Sequence, residues 1–264
     1  MKRLFELAAG SIAGTNHLRT GKNNQDAYYS YVTEEMAIAI VSDGCGSGKH
    51  SEVGAKIGVR LIAAAIQRHL VSQSNNFWEE VRQEVLDQLE TLVRGMGGNL
   101  SETVNDYFLF TIVGALILPS GVTTFSLGDG AIALNGEILS LGPFADNAPP
   151  YLAYGLLERS ASEWQFQIHH QLPIAEVSSI LIGTDGVIDL IQGAEKNLPG
   201  KPETVGTISQ FWQEDRYFIN SDMVRRRLAL INNEVIKPDW QNHQITKSLG
   251  LLSDDTTLIA IRKR

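Results

Sequence analysis

Two short, nearly continuous apolar runs are each followed by Asp-Gly. These two segments limit how the chain can fold more than any other feature. Residues 37–42, Ala-Ile-Ala-Ile-Val-Ser, precede Asp43, and residues 180–184, Ile-Leu-Ile-Gly-Thr, precede Asp185. Short, nearly continuous apolar runs are typical of strands that are covered on both faces. The chain therefore needs a layered fold that buries both strands, and each strand ends at a carboxylate.

Two further aspartates lie next to β-patterned runs. Asp26 precedes Ala27–Thr33, and Asp254 lies just before Thr256–Ile261. Strand ends are rigid supports, and converging carboxylates are hard oxygen ligands for Mg²⁺ or Mn²⁺. If these strands lie side by side, the four carboxylates can hold two cations, with the carbonyl of Gly44 as an additional ligand. The alternative for each Asp-Gly pair on its own is a common tight turn.

The remaining periodicity predicts helices and antiparallel strands within one domain, residues 1–264. Apolar residues spaced three and four apart predict helices at Ile57–Leu70, Trp78–Leu92, Thr204–Trp212 and Met223–Ile231. Additional strands are predicted at Met36–Val41, Phe108–Leu118, Val122–Leu127, Ala131–Leu134, Glu137–Leu141, Gln165–Leu172 and Ser179–Gly183. This order indicates an α+β fold with antiparallel sheets and helical layers.

Charge and cysteine content narrow the function. The 264 residues include 22 Lys and Arg against 30 Asp and Glu, a net charge of −8. No basic stripe or tail suggests nucleic-acid binding, and the acidic background would repel a phosphorylated substrate unless cations reversed the field locally. Cys45 is the only cysteine, which excludes an internal disulfide and a thiolate-rich zinc site. No apolar run is long enough to span a membrane, so we expect a cytoplasmic protein.

The glycine-rich loop after Asp43 fits neither of two common phosphate-binding motifs. In a P-loop alignment the first glycine falls on Asp43, and His50 takes the place of the hydroxyl residue that binds Mg²⁺. A cysteine phosphatase with Cys45 as nucleophile would need an arginine six positions later, where Ser51 stands. We therefore interpret Cys45 as a small residue in a tight turn.

Other polar residues have two interpretations each. Arg19 and Lys22, just before Asp26, could bind a substrate phosphate or lie on a solvated loop. Asp106 is either a loop residue or a ligand for an additional cation. Asp129, between two glycines, is interpreted as a structural turn with local hydrogen bonds. The six histidines show no paired zinc-ligand spacing.

Taken in order, the motifs resemble those of the metal-dependent serine/threonine protein phosphatases of type 2C, the PPM family, in its compact bacterial form. The motifs are Asn24-Gln-Asp26, Val41-Ser-Asp-Gly44, Phe125-Ser-Leu-Gly-Asp129, Ile182-Gly-Thr-Asp-Gly186 and Asp254-Asp-Thr-Thr257. The resemblance extends over nearly the whole chain. It implies a four-layer α–β–β–α sandwich with two central antiparallel sheets, and hydrolysis of phosphoserine or phosphothreonine on proteins by metal-activated water.

The resemblance also implies a site. The implied metal ligands are Asp26, Asp43, Gly44, Asp106, Asp185 and Asp254. Asp43 would bridge two Mn²⁺ or Mg²⁺ ions, Asp185 and Asp254 would hold one of them, and Asp26 would act directly or through water. Asp106 would serve a third ion. The catalytic set is Asp26, Asp43, Asp185 and Asp254, and the implied partner is a phosphorylated protein bound by a monomer, with no nucleic acid or membrane involved.

Three positions depart from the family pattern. The arginine that binds substrate phosphate is replaced by Gly21, so Arg19 or Lys22 would have to substitute; an acidic residue is replaced by Gln25; and a histidine that acts as general acid is replaced by Cys45. These changes make a catalytically silent domain that binds phosphorylated partners the main alternative. A hydrolase for small phosphoesters would use the same site. The stretch Asn147–Ser162 is expected to shape substrate access.

Overall fold

A computed structural model of the chain describes residues 1–71, 74–145, 148–158, 164–240 and 243–264. Two five-stranded antiparallel sheets pack face to face, and helices cover the outer face of each sheet. This α–β–β–α order of layers confirms the predicted α+β sandwich. The stretch Asn147–Ser162 lies partly outside the described residues, so its role in substrate access stays a prediction.

Ten of the strands in the described residues, numbered along the chain, divide evenly between the two sheets. Sheet one has the order β1 (Phe5–Ile12), β12 (Thr256–Lys263), β9 (Ser179–Gly183), β6 (Gly130–Leu134) and β7 (Glu137–Leu141). Sheet two has the order β2 (Ala27–Val32), β3 (Ala37–Ser42), β4 (Ile112–Leu118), β5 (Gly121–Leu127) and β8 (Gln167–Leu172). A separate hairpin is formed by β10 (Val235–Asp239) and β11 (Gln244–Ser248).

Strand β3 shows why the apolar runs are continuous. Its alanines and Val41 face the opposite sheet, whereas Ile38 and Ile40 face the helices that cover sheet two. Because successive side chains of a strand point to opposite faces, a strand covered on both sides needs apolar residues at every position. Strand β9 follows the same rule, with Ile180 and Ile182 between the sheets and Leu181 under the outer helices.

Helices form the two outer layers. In chain order they are α1 (Thr15–Thr20), α2 (Ser51–His69), α3 (Phe77–Met96), α4 (Leu100–Thr103), α5 (Gly186–Gln192), α6 (Gln210–Gln213), α7 (Arg216–Ile219) and α8 (Met223–Ile231). Shorter segments are a π-helix at Val104–Phe108 and 3₁₀ turns at Leu152–Leu156 and Ile174–Glu176. Helices α2 and α3 pack on sheet two, and α5 to α8 pack on sheet one. None of the helices in the described ranges has the length and apolar character needed to cross a bilayer.

Two sequence-based expectations about elements were wrong. Thr204–Trp212 is not one helix, because Val205 N donates to the Lys196 carbonyl and Gly206 N to the Ala194 carbonyl, so this segment bonds across to a neighbouring turn. The run Phe108–Leu118 becomes a strand only at Ile112, after the π-helix. The sequence did not indicate the β10–β11 hairpin, whose first strand contains Pro238, a residue that argues against strand structure.

Candidate metal centre

Sheet two brings Asp26 and Asp43 together. Ala27, the first residue of β2, pairs with Ser42, the last residue of β3. Asp26 and Asp43 extend these two strands by one residue each, so they are neighbours across the antiparallel ladder. Thr111 fixes Asp43 from the other side, because Thr111 N donates to the Asp43 carbonyl at 2.8 Å and Asp43 N donates to the Thr111 hydroxyl at 3.2 Å.

Sheet one brings Asp129, Asp185 and Asp254 to the same end of the sandwich. In the centre of this sheet Gly183 of β9 pairs with Ala131 of β6 on one side and with Leu258 of β12 on the other. Asp185 lies two residues after Gly183, and Asp129 lies two residues before Ala131, so the register places them opposite each other. Asp254 enters from the loop before β12.

The two sheets are joined at this end by a side-chain hydrogen bond. The Thr184 hydroxyl donates to Asp26 Oδ2 at 2.8 Å, although the two residues lie 158 positions apart in sequence. The electrostatics show that all the carboxylates converge. Burial, followed by the negative charges of Asp26, Asp185 and Asp254, raises the pKa of Asp43 well above its usual range.

The pKa values of Asp185, Asp26 and Asp129 are raised in the same way. Burial, followed by the charges of Asp254 and Asp129, raises the pKa of Asp185 to about 7. Burial, followed by the charge of Asp255, raises the pKa of Asp26 well above its usual range. The pKa of Asp129 is also raised, with burial as the largest cause and Asp254 contributing. Such a group of carboxylates is electrostatically unfavourable without a cation.

The donor set fits hard cations. Asp26, Asp129 and Asp185 each have a buried carboxylate oxygen, Oδ1, with no hydrogen-bond partner among the described residues. Buried polar atoms are normally paired, so three carboxylate oxygens without a hydrogen-bond partner at one end of the sandwich are suited to cation binding. Carboxylate oxygens are the ligands that Mg²⁺ and Mn²⁺ prefer.

The model of the protein phosphatase 2C family matches residues 13–221. The chain belongs to the protein phosphatase 2C family. A search of curated protein sequences found no match.

Similar solved structures support the fold of this family member. The serine-threonine phosphatase 2C of Toxoplasma gondii is 14% identical over 99% of this chain and 95% of its own, with a TM-score of 0.56. A bacterial serine phosphatase is 15% identical over 98% of both chains, with a TM-score of 0.55. The catalytic domain of the serine threonine protein phosphatase PstP, in complex with two manganese ions, is 14% identical over 98% of both chains, with a TM-score of 0.50.

In this phosphatase 2C family member, the glycine loop is held close to the carboxylates by Gln25. Gly44 N donates to the Gln25 carbonyl at 3.2 Å, and the Gln25 side chain donates to the Ser51 hydroxyl at 2.7 Å. A Cβ atom at Gly44 would lie 2.8 Å from the Ser51 carbonyl oxygen and 2.9 Å from the Gln25 carbonyl oxygen. Only glycine at position 44 therefore allows the backbone of Gln25 and that of Ser51 to approach this closely.

The two basic residues proposed for phosphate binding lie in different places. Lys22 Nζ donates to the Gly46 carbonyl at 2.9 Å, so this side chain is bound to the glycine loop. Arg19 is exposed and lines a cavity of about 600 Å³ together with Asn24 and Arg225. The structure thus places Lys22 beside the loop that follows Asp43, whereas Arg19 lies at the cavity between α1 and α8.

Asp106 is paired with a lysine. Its Oδ2 accepts a hydrogen bond from Lys49 Nζ at 2.7 Å, and its carbonyl accepts one from His50 N. The π-helix holds Asp106 against the far end of the glycine loop. Asp129, predicted from the sequence to be a structural turn, does lie between β5 and β6, but its Oδ1 has no hydrogen-bond partner in the described part of the chain, and its charge raises the pKa of Asp185.

Cys45 takes the position where many members of the family have a histidine. Burial raises the pKa of the Cys45 thiol, but hydrogen bonds from Ser47 and Tyr151 outweigh burial, so the net shift is downward. Tyr151 is buried, and burial together with its contact to Cys45 raises the pKa of its hydroxyl. No pattern in the sequence distinguishes Tyr151 from the other residues of its stretch.

Asp255 is a second residue of this site whose place was not predicted from the sequence. Its side chain is buried, with 1% of its surface exposed, whereas Asp254 is exposed. Asp255 Oδ1 accepts a hydrogen bond from Gly14 N at 2.7 Å, and Oδ2 accepts one from Gln25 N at 2.6 Å. The Asp254-Asp255 pair was visible in the sequence, but nothing there distinguished the exposed carboxylate from the buried one.

Proposed function

We propose that this protein hydrolyses phosphoserine and phosphothreonine on proteins with the help of Mg²⁺ or Mn²⁺. The observation that supports the proposal best is the convergence of Asp43, Asp185 and Asp254 from two sheets, with raised pKa values at Asp43 and Asp185. Membership of the protein phosphatase 2C family is consistent with this reaction.

Two ions would share the converging carboxylates. We assign Asp43 to both ions and the Gly44 carbonyl to one of them. Asp185 and Asp254 would hold the other ion. Asp26, whose Oδ1 has no partner within the described chain, would bind directly or through water. Bound ions would supply an activated water at neutral pH and would neutralise charge on the phosphoryl oxygens.

A third ion would fit best beside Asp129. This carboxylate has an unpaired buried oxygen and lies close enough to Asp185 to raise its pKa. Asp106, the ligand that the family resemblance implied, already accepts a hydrogen bond from Lys49. Binding an ion at Asp106 would require this ion pair to break, so we favour Asp129.

The chain's own residues would bind and orient the phosphoryl group. Lys22 fixes the Gly46 carbonyl and thereby the glycine loop, and its positive charge offsets the acidic background there. The Tyr151 hydroxyl, whose raised pKa keeps it protonated, can donate a hydrogen bond beside Cys45. Arg19 is available at the adjacent cavity for the flanking part of a substrate.

The test is Mn²⁺-dependent turnover of a phosphorylated peptide. Asp43→Asn and Asp185→Asn should each lower kcat/KM by more than about 100-fold, because losing a ligand costs more than losing a residue that supports one. Asp87→Asn, on the exposed face of α3, is the matched control and should keep full activity. Turnover that persists in excess chelator would contradict the metal mechanism.

A silent domain that binds phosphorylated partners is the second candidate. Gly21 stands where the family binds phosphate with arginine, and Cys45 stands at the histidine position. Calorimetry separates the two candidates, since a silent domain would bind the phosphopeptide without releasing phosphate. Phosphate release from a phosphopeptide would exclude the silent domain, and release from a small phosphoester alone would favour the small-substrate hydrolase.

A further inference from the structure

Asp255 is a buried carboxylate that no part of the proposed hydrolysis uses. Three nitrogen atoms surround it: Gly14 N at 2.7 Å from Oδ1, Gln25 N at 2.6 Å from Oδ2, and His17 Nδ1 at 2.9 Å from Oδ2. All three belong to the segment between β1 and β2. Burying a carboxylate is costly unless donors compensate its charge, and here one backbone amide donates to each carboxylate oxygen, from Gly14 and from Gln25. His17 Nδ1 lies within ion-pair distance of Oδ2 and makes no hydrogen bond among the described residues.

Backbone hydrogen bonds also attach the beginning of this segment to the residues just before Asp255. Thr15 N donates to the Leu252 carbonyl at 3.0 Å, and Asn16 N donates to the Ser253 carbonyl at 3.1 Å. A Cβ atom at Gly14 would lie 2.3 to 2.6 Å from the backbone of Asp254. Residues 14–16 therefore lie directly against the loop that carries Asp254.

Asp255 connects two proposed metal ligands through this contact. It follows Asp254 in sequence, and its Oδ2 holds the amide of Gln25, the residue before Asp26. Ligand atoms of His17, Asp254 and Asp255 all lie within 4.8 Å of one another. Gln25 also holds Gly44 N, so the arrangement extends from the β12 loop to the glycine loop.

We propose that Asp255 and His17 form a positioning pair that sets the placement of Asp254 and Asp26 for cation binding. This inference rests on the proposed function, because it assumes a metal centre at the four aspartates. His17 acts through Nδ1, the ring atom in contact with Asp255, and not as a ligand or proton donor through Nε2.

Two amide variants of His17 distinguish its ring nitrogens. Asparagine places an amide nitrogen near the position of Nδ1, whereas glutamine places one near Nε2. If His17 acts through Asp255, His17→Asn should keep most of the Mn²⁺ affinity and His17→Gln and His17→Ala should lose it. The reverse order would show that Nε2 acts on the metal centre and would overturn the proposed role.

Asp255→Asn tests the other half of the pair. Its amide group would face Gly14 N or Gln25 N donor to donor, so one backbone amide would lose its acceptor. We expect the Mn²⁺ dissociation constant to rise by about 10- to 100-fold, as is typical for groups that support metal ligands. The KM for the phosphopeptide, measured at saturating Mn²⁺, should stay within about twofold.

The experiment measures Mn²⁺ binding by calorimetry, steady-state kinetics and the melting temperature for each variant, with Asp87→Asn as the control. A lower melting temperature with unchanged Mn²⁺ affinity in Asp255→Asn would reduce the pair to a structural contact and overturn the proposal. If Asp255→Asn does not fold, the order of the His17 variants decides. Absence of Mn²⁺ binding by the wild-type protein would instead contradict the metal centre itself.

Discussion

At the scale of single residues, the aspartates at the end of the sandwich carry strong electrostatic strain. Burial and mutual repulsion raise the pKa values of Asp26, Asp43 and Asp185, and the pKa of Asp185 reaches about 7. Each carboxylate alone would be an ordinary strand-end residue. Their grouping makes them weak acids in the metal-free protein and a strong site for a divalent cation.

These shifts predict how the stability of the metal-free protein depends on pH. A carboxylate whose folded pKa is raised binds its proton more tightly in the folded state than in the unfolded state. Its contribution to stability is fully present below the unfolded pKa of about 4 and is lost as pH rises through the folded value. In chelator, the free energy of unfolding should therefore fall between about pH 4 and about pH 7, by up to about 1.4 kcal/mol per pH unit for Asp185.

Asp185→Asn isolates this effect. The variant removes one titrating group, so its free energy of unfolding should fall less steeply with pH than that of the wild type. The comparison cancels contributions from groups that Asp185 does not influence, such as His169, whose lowered pKa acts in the opposite direction. The pKa of Asp43 should fall in the variant, which reduces the slope further. Urea denaturation at five pH values provides the measurement, and equal slopes for the two proteins would contradict the assignment.

The sequence predicted the four aspartates at strand ends but not how the residues around them divide their roles. Asp26, Asp43, Asp185 and Asp254 follow from the strand pattern, and the structure brings them together; their role as ligands stays a prediction. Asp129 looked like a local turn because its contact with Asp185 depends on pairing between β6 and β9. The burial of Asp255 and its hydrogen bonds depend on contacts with Gly14 and Gln25, which are far away in sequence, so no local pattern predicts them.

At the scale of elements, prediction succeeded where burial determines periodicity. Strands β3 and β9 are apolar at nearly every position because both faces are covered, and α3 and α8 show one buried stripe each. It failed where backbone hydrogen bonds to distant residues decide the structure, as at Val205 and Gly206. It also failed for the exposed β10–β11 hairpin, in which the strands have no buried face to produce an alternating pattern.

The packing of α2 against the π-helix gives a prediction at this scale. A Cβ atom at Gly54 would lie 2.0 Å from the Tyr107 carbonyl oxygen and 2.9 Å from the Phe108 Cα. These are backbone atoms and cannot rotate away, so Gly54→Ala should push α2 off the π-helix. We expect a loss of about 1–3 kcal/mol in the free energy of unfolding, measured by urea denaturation.

Gly95→Ala is the matched control for Gly54→Ala. Gly95 lies near the end of α3, and no atom lies within 4 Å of a Cβ placed there. The same substitution should leave stability unchanged or raise it by up to about 1 kcal/mol, because alanine favours helix more than glycine does. Equal changes in stability in the two variants would show that the contact with Tyr107 adds no cost, and would contradict the predicted clash at Gly54.

At the scale of the whole molecule, the candidate metal centre lies where the two sheets meet. Asp26 and Asp43 extend strands of sheet two, whereas Asp185 and Asp254 belong to sheet one. The inter-sheet core, which includes Val41, Ile182 and Ile259, holds the sheets together from inside. A cation bound by carboxylates of both sheets would connect the two sheets at the end of the sandwich. Metal binding and global stability should therefore be linked.

Mn²⁺ should therefore stabilise the whole fold and not only its loops. At a free concentration of about 100 times the dissociation constant, binding adds about 2.7 kcal/mol, which raises the melting temperature by about 5–10 °C for a chain of this size. Calorimetric scans in chelator and in Mn²⁺ should each show one transition. Asp43→Asn, in sheet two, and Asp185→Asn, in sheet one, should lose the Mn²⁺ shift to a similar extent, and Asp87→Asn should retain it. If one of the two site variants keeps the full shift, the ion is held by a single sheet and does not bridge the sandwich.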